Sequence, residues 1–571
     1  MYSPVVLKGL KPTLIGPALG IGLALLVLYP GWLTANTRLV GHEGLDVWSH
    51  AWGIRWIFNS LLDGNLPWDV DGLAWPRGGI LWYIDPLGAL VSLPAQMVSG
   101  PVLGHNSILF FQIALAGWAA FGLSKALGGR GYIAAVALAT APTFLAEIHN
   151  GTVEACWIGL VPLAGWAAVR NKWWCGAMVG LASLATPYHG IAAALLVGTV
   201  LLFGPHEAQQ RSWRDRISRT ALAAGLTLVV ALPAFLILQA SLDDPMGIAK
   251  KSMAMLNFPV FRINAVDPVA LFHPGDFWTV NLVGENTTPF RRTPYLGLTI
   301  FCLSAALMIR QQKHRWWLVP VLITVVFAMG PFLWHDGDFV RTKGGELLAL
   351  PFRWILGFGV VMDHPLRFIS GAVTILAVLA DVTAKKLEGK IVLPASVWTS
   401  SIMAIVLVEH LVLSPNVWPL STSDGALPAV YADLDSPGAI IDLPAARGQS
   451  IATNRYLFWQ GLHRHPIPYS HKVGPDLPNV NSTLRTWTDL SRDVPRHSHD
   501  PGRIQGSVNH EQGINKLARS GFRWVILHQN LLANEQVARD HEDMLYKTLG
   551  TPTSIGDALL WSIPQSAEAI E

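Results

Sequence analysis

The chain has 571 residues, of which 51% are hydrophobic and only 14% charged, with a formal net charge of +3. A soluble domain carries about 25% charged residues, so this composition excludes an ordinary soluble protein. The small net charge gives no electrostatic basis for binding nucleic acid, and the sequence reads as a polytopic α-helical membrane protein.

Apolar runs predict spans at 12–34, 105–124, 131–148, 155–169, 174–188, 190–204, 219–240, 294–309, 316–334, 366–382 and 390–413, about eleven in all. Each is near or somewhat below the ~20 residues of a full crossing. The first is too long for a signal-peptide core and lacks a convincing cleavage site, so it reads as a retained anchor. "PLGALVSLPAQMVSG" (86–100) is short and carries two prolines. It is expected as a helix lying at the interface, within a first outer loop over 35–104. In that loop Trp48, Trp52 and Trp56 surround Asp46 and read as interface aromatics. "TPYHG" is open between a tight turn joining two short helices and a break in one.

Lys and Arg in the short loops set the orientation. With a cytoplasmic N-terminus, every inside segment is basic: Lys8 and Lys11; Lys125 and Arg130; Arg170 and Lys172; Arg211 to Arg219; Arg310 to Arg315; Lys385 to Lys390. An odd number of spans then places the C-terminus outside. The long outer segments, 35–104, 241–293 and 335–365, mark the outer face as the working one. Residues 1–413 are expected as the membrane domain. Residues 414–571 are expected as a soluble extracytoplasmic α/β domain, with "GAIIDLP" and "FRWVILH" as buried strands and "EQGINKLARSG" and "NEQVARDHEDMLYKTLG" as amphipathic helices. The cysteines, Cys156, Cys175 and Cys302, lie in or beside apolar runs and form no disulfide framework.

Candidate functional residues cluster at the predicted outer ends of the spans, and each has a plain structural reading beside the functional one. Asp46 is a carboxylate at the bilayer edge, or the N-cap of "VWSHAWGIRWIF". "LAEIHNGTVEACW" holds Glu147, His149, Asn150 and Glu154 on the same face; acids there also serve as helix caps. Asp85 in "WPRGGILWYIDPLG" is an acid between apolar runs. Tyr188 and His189 in "TPYHGI" are binding residues or interface anchors. "MDHPLRFISG" supplies Asp363, His364 and Arg367, while "FPVFRINAVDP" and "PFRRTPYLG" supply Arg262, Arg291 and Arg292. Outer arginines run against the positive-inside tendency, and a guanidinium fork suits phosphate oxygens. Anchoring to bilayer phosphates is the alternative. The histidines of "HRHPIPYSH" and "RHSHD" have irregular spacing and read as a solvated loop rather than a metal site. P-loop, GxSxG and HExxH motifs are absent.

Taken in order, "LDVWSHAWGIRWI", "LAWPRGGILWYID", "GHNSILFFQIALAGWAAFGLSKALGG", "APTFLAEIHNGTVEACWIGLVPL", "TPYHGI", "TPYLGL", "DHPLRFISG", "GAIIDLP" and "SGFRWVILH" resemble landmarks of the GT-C superfamily of integral-membrane glycosyltransferases. Within it, the resemblance is to a bacterial mannosyltransferase- and YfhO-like group. It covers nearly the whole chain. It implies a multi-pass protein of the bacterial inner membrane that moves a sugar from a polyprenyl-phosphate donor to an envelope glycan, lipid or protein acceptor at the outer face. Asp46 then matches the first-loop acid that accepts the acceptor's proton. Glu147 and Glu154 match second-loop acids that orient the acceptor or hold a divalent cation. Asp85, His149, Tyr188, His189, Arg291, Arg292 and Arg367 are the expected substrate-binding residues, the arginines lying over the donor phosphate. The chain departs from the pattern in one respect: the nearest acidic companion of Asp46 is Glu43, not an adjacent residue, so a metal requirement does not follow. A non-catalytic relative that binds or helps export lipid-linked glycan is the rival reading.

Overall fold

The computed structural model describes residues 12–80, 85–204, 212–243, 264–273, 290, 292–335, 338–355, 362–414, 418–434, 436–445, 451–470, 482–489, 509–532 and 534–565. The chain forms two compact units. The first comprises 1–47, 85–236 and 251–424; the second comprises 48–84, 237–250 and 425–571.

The first unit is a helical assembly. Among the described residues, four helices are long and apolar enough to cross a membrane: Pro86–Ala126, Tyr132–Asn150, Trp213–Ser241 and Pro365–Glu388. Shorter apolar helices of 10–17 residues accompany them, among them Leu14–Val27, Cys175–Ala185, Leu298–Arg310 and Ala395–Leu411. Proline and glycine decide where the apolar runs break. Helix α1 (Pro86–Ala126) is bent at Ser99 and Gly100, directly before Pro101, because proline disfavours helical geometry in the residue ahead of it. The segment expected to lie at the interface is therefore the first arm of this bent helix. The run at 131–148 divides into α2 (Tyr132–Ala139) and α3 (Pro142–Asn150), with the break just ahead of Pro142. "TPYHG" is a turn: α4 (Cys175–Ala185) ends and α5 (Pro187–Phe203) begins at Thr186.

Helix α6 (Ile369–Glu388) is the centre of this unit. It packs against Leu298–Arg310, Leu318–Ala328, α2 and α1. Of the apolar window it shares with residues 365–368, 94% is buried, against 6% for Trp213–Ser241 at the periphery. A carboxylate on so buried a helix needs partners, and Asp381 has them. It accepts from Ser124 Oγ at 2.6 Å, Gly131 N at 2.7 Å and Ile133 N at 2.9 Å. The acid thereby caps the N-terminus of α2, where unsatisfied amides favour negative charge. This explains Gly129 of "KALGGRGY": a Cβ there would stand 2.3 Å from Asp381 Oδ2 and 2.1 Å from Ser124 Oγ.

The second unit contains a four-stranded sheet. Strands β1 (Ala439–Leu443) and β2 (Phe522–His528) are parallel, and β4 (Ala558–Ser562) joins β2 to β3 (Thr553–Ile555) in antiparallel fashion, giving the order β1-β2-β4-β3. Both expected strands are present, and every residue of β1 is buried. Helices His510–Arg519 and Glu535–Leu549 fall where the amphipathic pattern put them. Part of the first loop belongs to this unit as well. Helix α7 (Ile451–His463) receives Val47–Asp63: Trp52 Nε1 donates to Gln460 Oε1 at 2.7 Å, Asn59 Nδ2 donates to the Gly461 carbonyl at 3.0 Å, and Trp48 meets Phe458 at 5.6 Å between centroids. Trp48 and Trp52 are 0% and 1% exposed. That corrects their reading as interface aromatics: these rings fill a protein core, with the indole N–H of Trp52 satisfied by an amide.

At the end of β1 the fully buried Asp442 accepts from Tyr431 Oη at 2.7 Å and lies 3.0 Å from His528 Nε2. Tyr431 stacks on His463 with centroids 4.4 Å apart. Burial, with His465 and His528 nearby, holds the His463 pKa well below its usual 6.5.

Two outcomes are expected. Asp381→Ala strands three donors and should lower thermal stability by about 2–4 kcal/mol, measured by unfolding in detergent. His463 titrates lower when folded than when unfolded, so the unfolded chain takes up protons first as pH falls. The second unit should therefore be fully stable above pH 6.5 and weaken below it. Faster amide exchange in residues 439–443 and 522–528 at mildly acidic pH would report this.

Candidate functional site

The site is built around the short segment that follows α3. Asn150 ends that helix, Gly151 turns the chain at φ +77°, and a 3₁₀ helix runs over Val153–Gly159. Glu147 and Glu154 flank the turn. Arg367, on the 3₁₀ turn Pro365–Phe368 that leads into α6, lies between them. Its Nε is 2.9 Å from Glu147 Oε1, its Nη2 is 3.2 Å from Glu147 Oε2, and its Nη1 is 3.3 Å from Glu154 Oε1. The three side chains are 10%, 8% and 19% exposed. Thr152 Oγ1 donates to Glu147 Oε2 and to the Glu147 carbonyl. One guanidinium is thus held by two carboxylates in a fork that only arginine can supply.

Asp46 reaches the same segment. Asn106 and His105 of α1 fix Val40, through Val40 N to Asn106 Oδ1 at 2.9 Å and His105 Nε2 to the Val40 carbonyl at 3.0 Å. The turn that follows lies along the end of α3. His42 N donates to the His149 carbonyl at 2.9 Å, and Asp46 N donates to the Asn150 carbonyl at 3.1 Å. Contact is close enough that a Cβ at Gly151 would stand 2.4 Å from Val47 Cα. Asp46 is half-buried. The rings of His42 and His149 lie 5.2 Å apart.

The other expected residues surround this centre, several in structural roles. Asp85 is the N-cap of α1: Oδ1 accepts from Gly88 N at 2.9 Å and Oδ2 accepts from Trp157 Nε1 at 2.9 Å. It therefore ties the start of α1 to the Val153–Gly159 segment. His189 is buried between Ser370 Oγ at 3.0 Å and the Ala155 carbonyl at 2.8 Å, linking α5 to α6 and to the same segment. Tyr188 Oη accepts from His364 N at 2.7 Å, and the Arg367 guanidinium lies 5.9 Å from its ring centroid. Both residues are buried among protein groups, away from the solvent-facing position expected of interface anchors. Arg292 joins from another direction. Its Nε donates to Asn264 Oδ1 at 2.9 Å, Asn264 Nδ2 donates to the Asp363 carbonyl at 2.9 Å, and the guanidinium lies over Phe290 at 4.3 Å. Arg291 and Arg262 lie outside the described residues.

Sequence reasoning missed Thr152, Trp157, Asn264 and Ser370, which place the charged groups. The glycine of "HNGTVE" was the available sign, since a left-handed turn with close backbone approach requires one. The geometry also bears on a cation. Arg367 already takes oxygens of both glutamates, and among the described residues no three His, Cys, Asp or Glu side chains are grouped to hold a metal ion. The acids therefore do not fit a metal-ligand set.

No protein-family model matches the chain, and no curated protein matches it in sequence. In shape it is similar to solved membrane enzymes. The arabinofuranosyltransferase AftD from Mycobacteria aligns with TM-score 0.58 and 15% identity, over 97% of this chain and 40% of that one. ArnT from Cupriavidus metallidurans aligns over 96% of this chain and 97% of its own, at 15% identity and TM-score 0.47. The Archaeoglobus fulgidus oligosaccharyltransferase aligns over 90% and 69%, at 12% identity and TM-score 0.48. The chain thus spans less than half the length of AftD. The likeness to AftD shows the fold: this is a GT-C-like membrane architecture.

Breaking the triad from its cationic side should be costly. Arg367→Met leaves two carboxylates buried without their counter-charge and is expected to lower stability by about 3–5 kcal/mol. Adding Glu147→Gln should restore part of that loss. Thermal unfolding of the single and double variants checks both expectations.

Proposed function

We propose that the chain is a glycosyltransferase that moves a sugar from a polyprenyl-phosphate donor to an envelope glycan, lipid or protein acceptor at the outer face of the membrane. The reading is carried by one observation: in a GT-C-like fold, the Asp46 turn is hydrogen-bonded to the end of the helix that carries Glu147, beside the Glu147–Arg367–Glu154 triad. An acid, a charged cluster and a second arginine gathered from distant parts of the chain have the makings of a group-transfer site. In this reading, about eleven helices cross the bilayer, the N-terminus is cytoplasmic, and the α/β region beyond residue 413 is extracytoplasmic. The bacterial inner membrane and kinship to mannosyltransferase- and YfhO-like proteins belong to the same proposal.

The chemistry assigns Asp46 as general base. It takes the proton of the acceptor hydroxyl as that oxygen attacks the anomeric carbon. The bond from that carbon to the phosphate oxygen breaks, and polyprenyl phosphate leaves with the electron pair. The leaving group needs fixed positive charge rather than a proton. Arg367, in the charged cluster, and Arg292, whose Nε donates to Asn264 Oδ1, are the described arginines assigned to that role. Glu147 and Glu154 are then positioning residues. Held by Arg367 and Thr152, they keep the acceptor side of the site rigid.

Asp46→Asn keeps the size of the side chain and removes the base. Sugar transfer from a lipid-phosphate donor to acceptor is expected to fall about 10²–10⁴-fold, while donor binding in nanodiscs stays near the unmodified value. Unchanged transfer in this variant would sink the proposal and favour the non-catalytic, glycan-binding alternative.

A further inference from the structure

Arg55, on the helix Val47–Asp63, carries a charge that the described residues around it do not match. Its guanidinium lies over the Phe58 ring, with Cζ 4.9 Å from the centroid. Its stem crosses the end of α7 at Gly461, where a Cβ would stand 3.3 Å from Arg55 Cγ. Nε is buried without a hydrogen-bond partner, and among the described residues no carboxylate pairs with this side chain. Burial, and after it the neighbouring cation Arg464, pulls the Arg55 pKa below its usual value. Arg464 follows α7 in a left-handed conformation at φ +64°, with its amide bonded to the Gln460 carbonyl at 2.8 Å. That geometry costs a non-glycine residue about 1–2 kcal/mol. Among the described residues its acidic contact is Asp63 at 3.3 Å, and both side chains of that pair are about half exposed.

Among the described residues, two guanidiniums in electrostatic reach with one solvent-screened carboxylate form an incomplete charge set. A surface ion pair of this kind contributes little, and a half-buried cation without a counter-charge is costly. The neighbouring surface indicates what completes the set. Leu61, Leu62 and Leu66, at the end of the helix and in the turn beyond it, are 49%, 65% and 59% exposed. A cation pair beside a run of bare leucines is the arrangement that meets a lipid, whose phosphate is charged and whose acyl chains are apolar. We propose that Arg55 and Arg464 bind the phosphate of an anionic phospholipid headgroup, with Leu61, Leu62 and Leu66 against its acyl region. The site stands apart from the transfer reading and is judged by lipid binding alone.

The test uses the full chain in nanodiscs of phosphatidylcholine mixed with phosphatidylglycerol, with retained lipid counted by native mass spectrometry after detergent release. Unmodified protein should retain phosphatidylglycerol over phosphatidylcholine. Arg55→Gln and Arg464→Gln should each reduce that retention about 10-fold, the loss expected for a charge-assisted hydrogen bond, and Leu62→Ser should reduce it less. Arg55→Lys keeps the charge without the fork and should fall between. Amide exchange over 439–443 identifies any variant that has unfolded, and then Arg55→Lys decides. Equal retention by unmodified protein and Arg55→Gln overturns the proposal. So does retention of polyprenyl phosphate in place of phosphatidylglycerol when both are supplied, which would reassign the pair to the donor.

Discussion

A guanidinium that is nine-tenths buried must be matched by charge, and the residues around the start of the central helix are arranged to match Arg367. Glu147 comes from the end of α3, Glu154 from the 3₁₀ segment after it, and Arg367 from the turn that starts the central helix. None of the three could be buried alone at tolerable cost. Together they hold each other, and Thr152 takes part of the remaining acceptor capacity of Glu147. The other links follow from this anchor. Asp85, through Trp157, and His189, through Ala155, fasten the start of α1 and of α5 to the same short segment.

The opposite end of the central helix repeats the logic with a single acid. Asp381 replaces the missing partners of backbone amides at the start of α2, and Arg130 meets Glu388 at 2.7 Å. Each end of α6 is thus tied by charge to the helices preceding it in sequence. The centre of the helix is apolar and buried. A helix fixed at both ends cannot slide or rotate without breaking ion pairs, which makes it a stable reference for the residues near Arg367.

The fold was more legible than the roles of the residues. Apolar run length and proline position locate the helices, since both act locally: Pro101, Pro142 and Pro187 mark the bend or the helix starts directly. The strands "GAIIDLP" and "FRWVILH" are legible for the same reason. The candidate residues stand out in the sequence because charge beside long apolar runs is rare. Their partners were not. Whether Arg367 faces a ligand phosphate or two glutamates more than two hundred positions earlier depends on tertiary contacts that periodicity does not encode. The tryptophans of Val47–Asp63 misled because an interface belt and a helix packed on Phe458 and Gln460 demand the same amphipathic ring. Nor does local sequence reveal that 48–84 folds with residues beyond 424.

Gly151 does two jobs with one missing atom. It lets the chain reverse out of α3, and it leaves the gap into which Val47 settles beside Asp46. Helix termination and placement of the acid are therefore a single geometric event. The distance between the proposed base and the glutamate-bearing turn is set by backbone against backbone, with no flexible side chain to absorb error. A side chain at this position would push the two backbones apart, so any adjustment of the acid's surroundings must come from the neighbouring side chains instead.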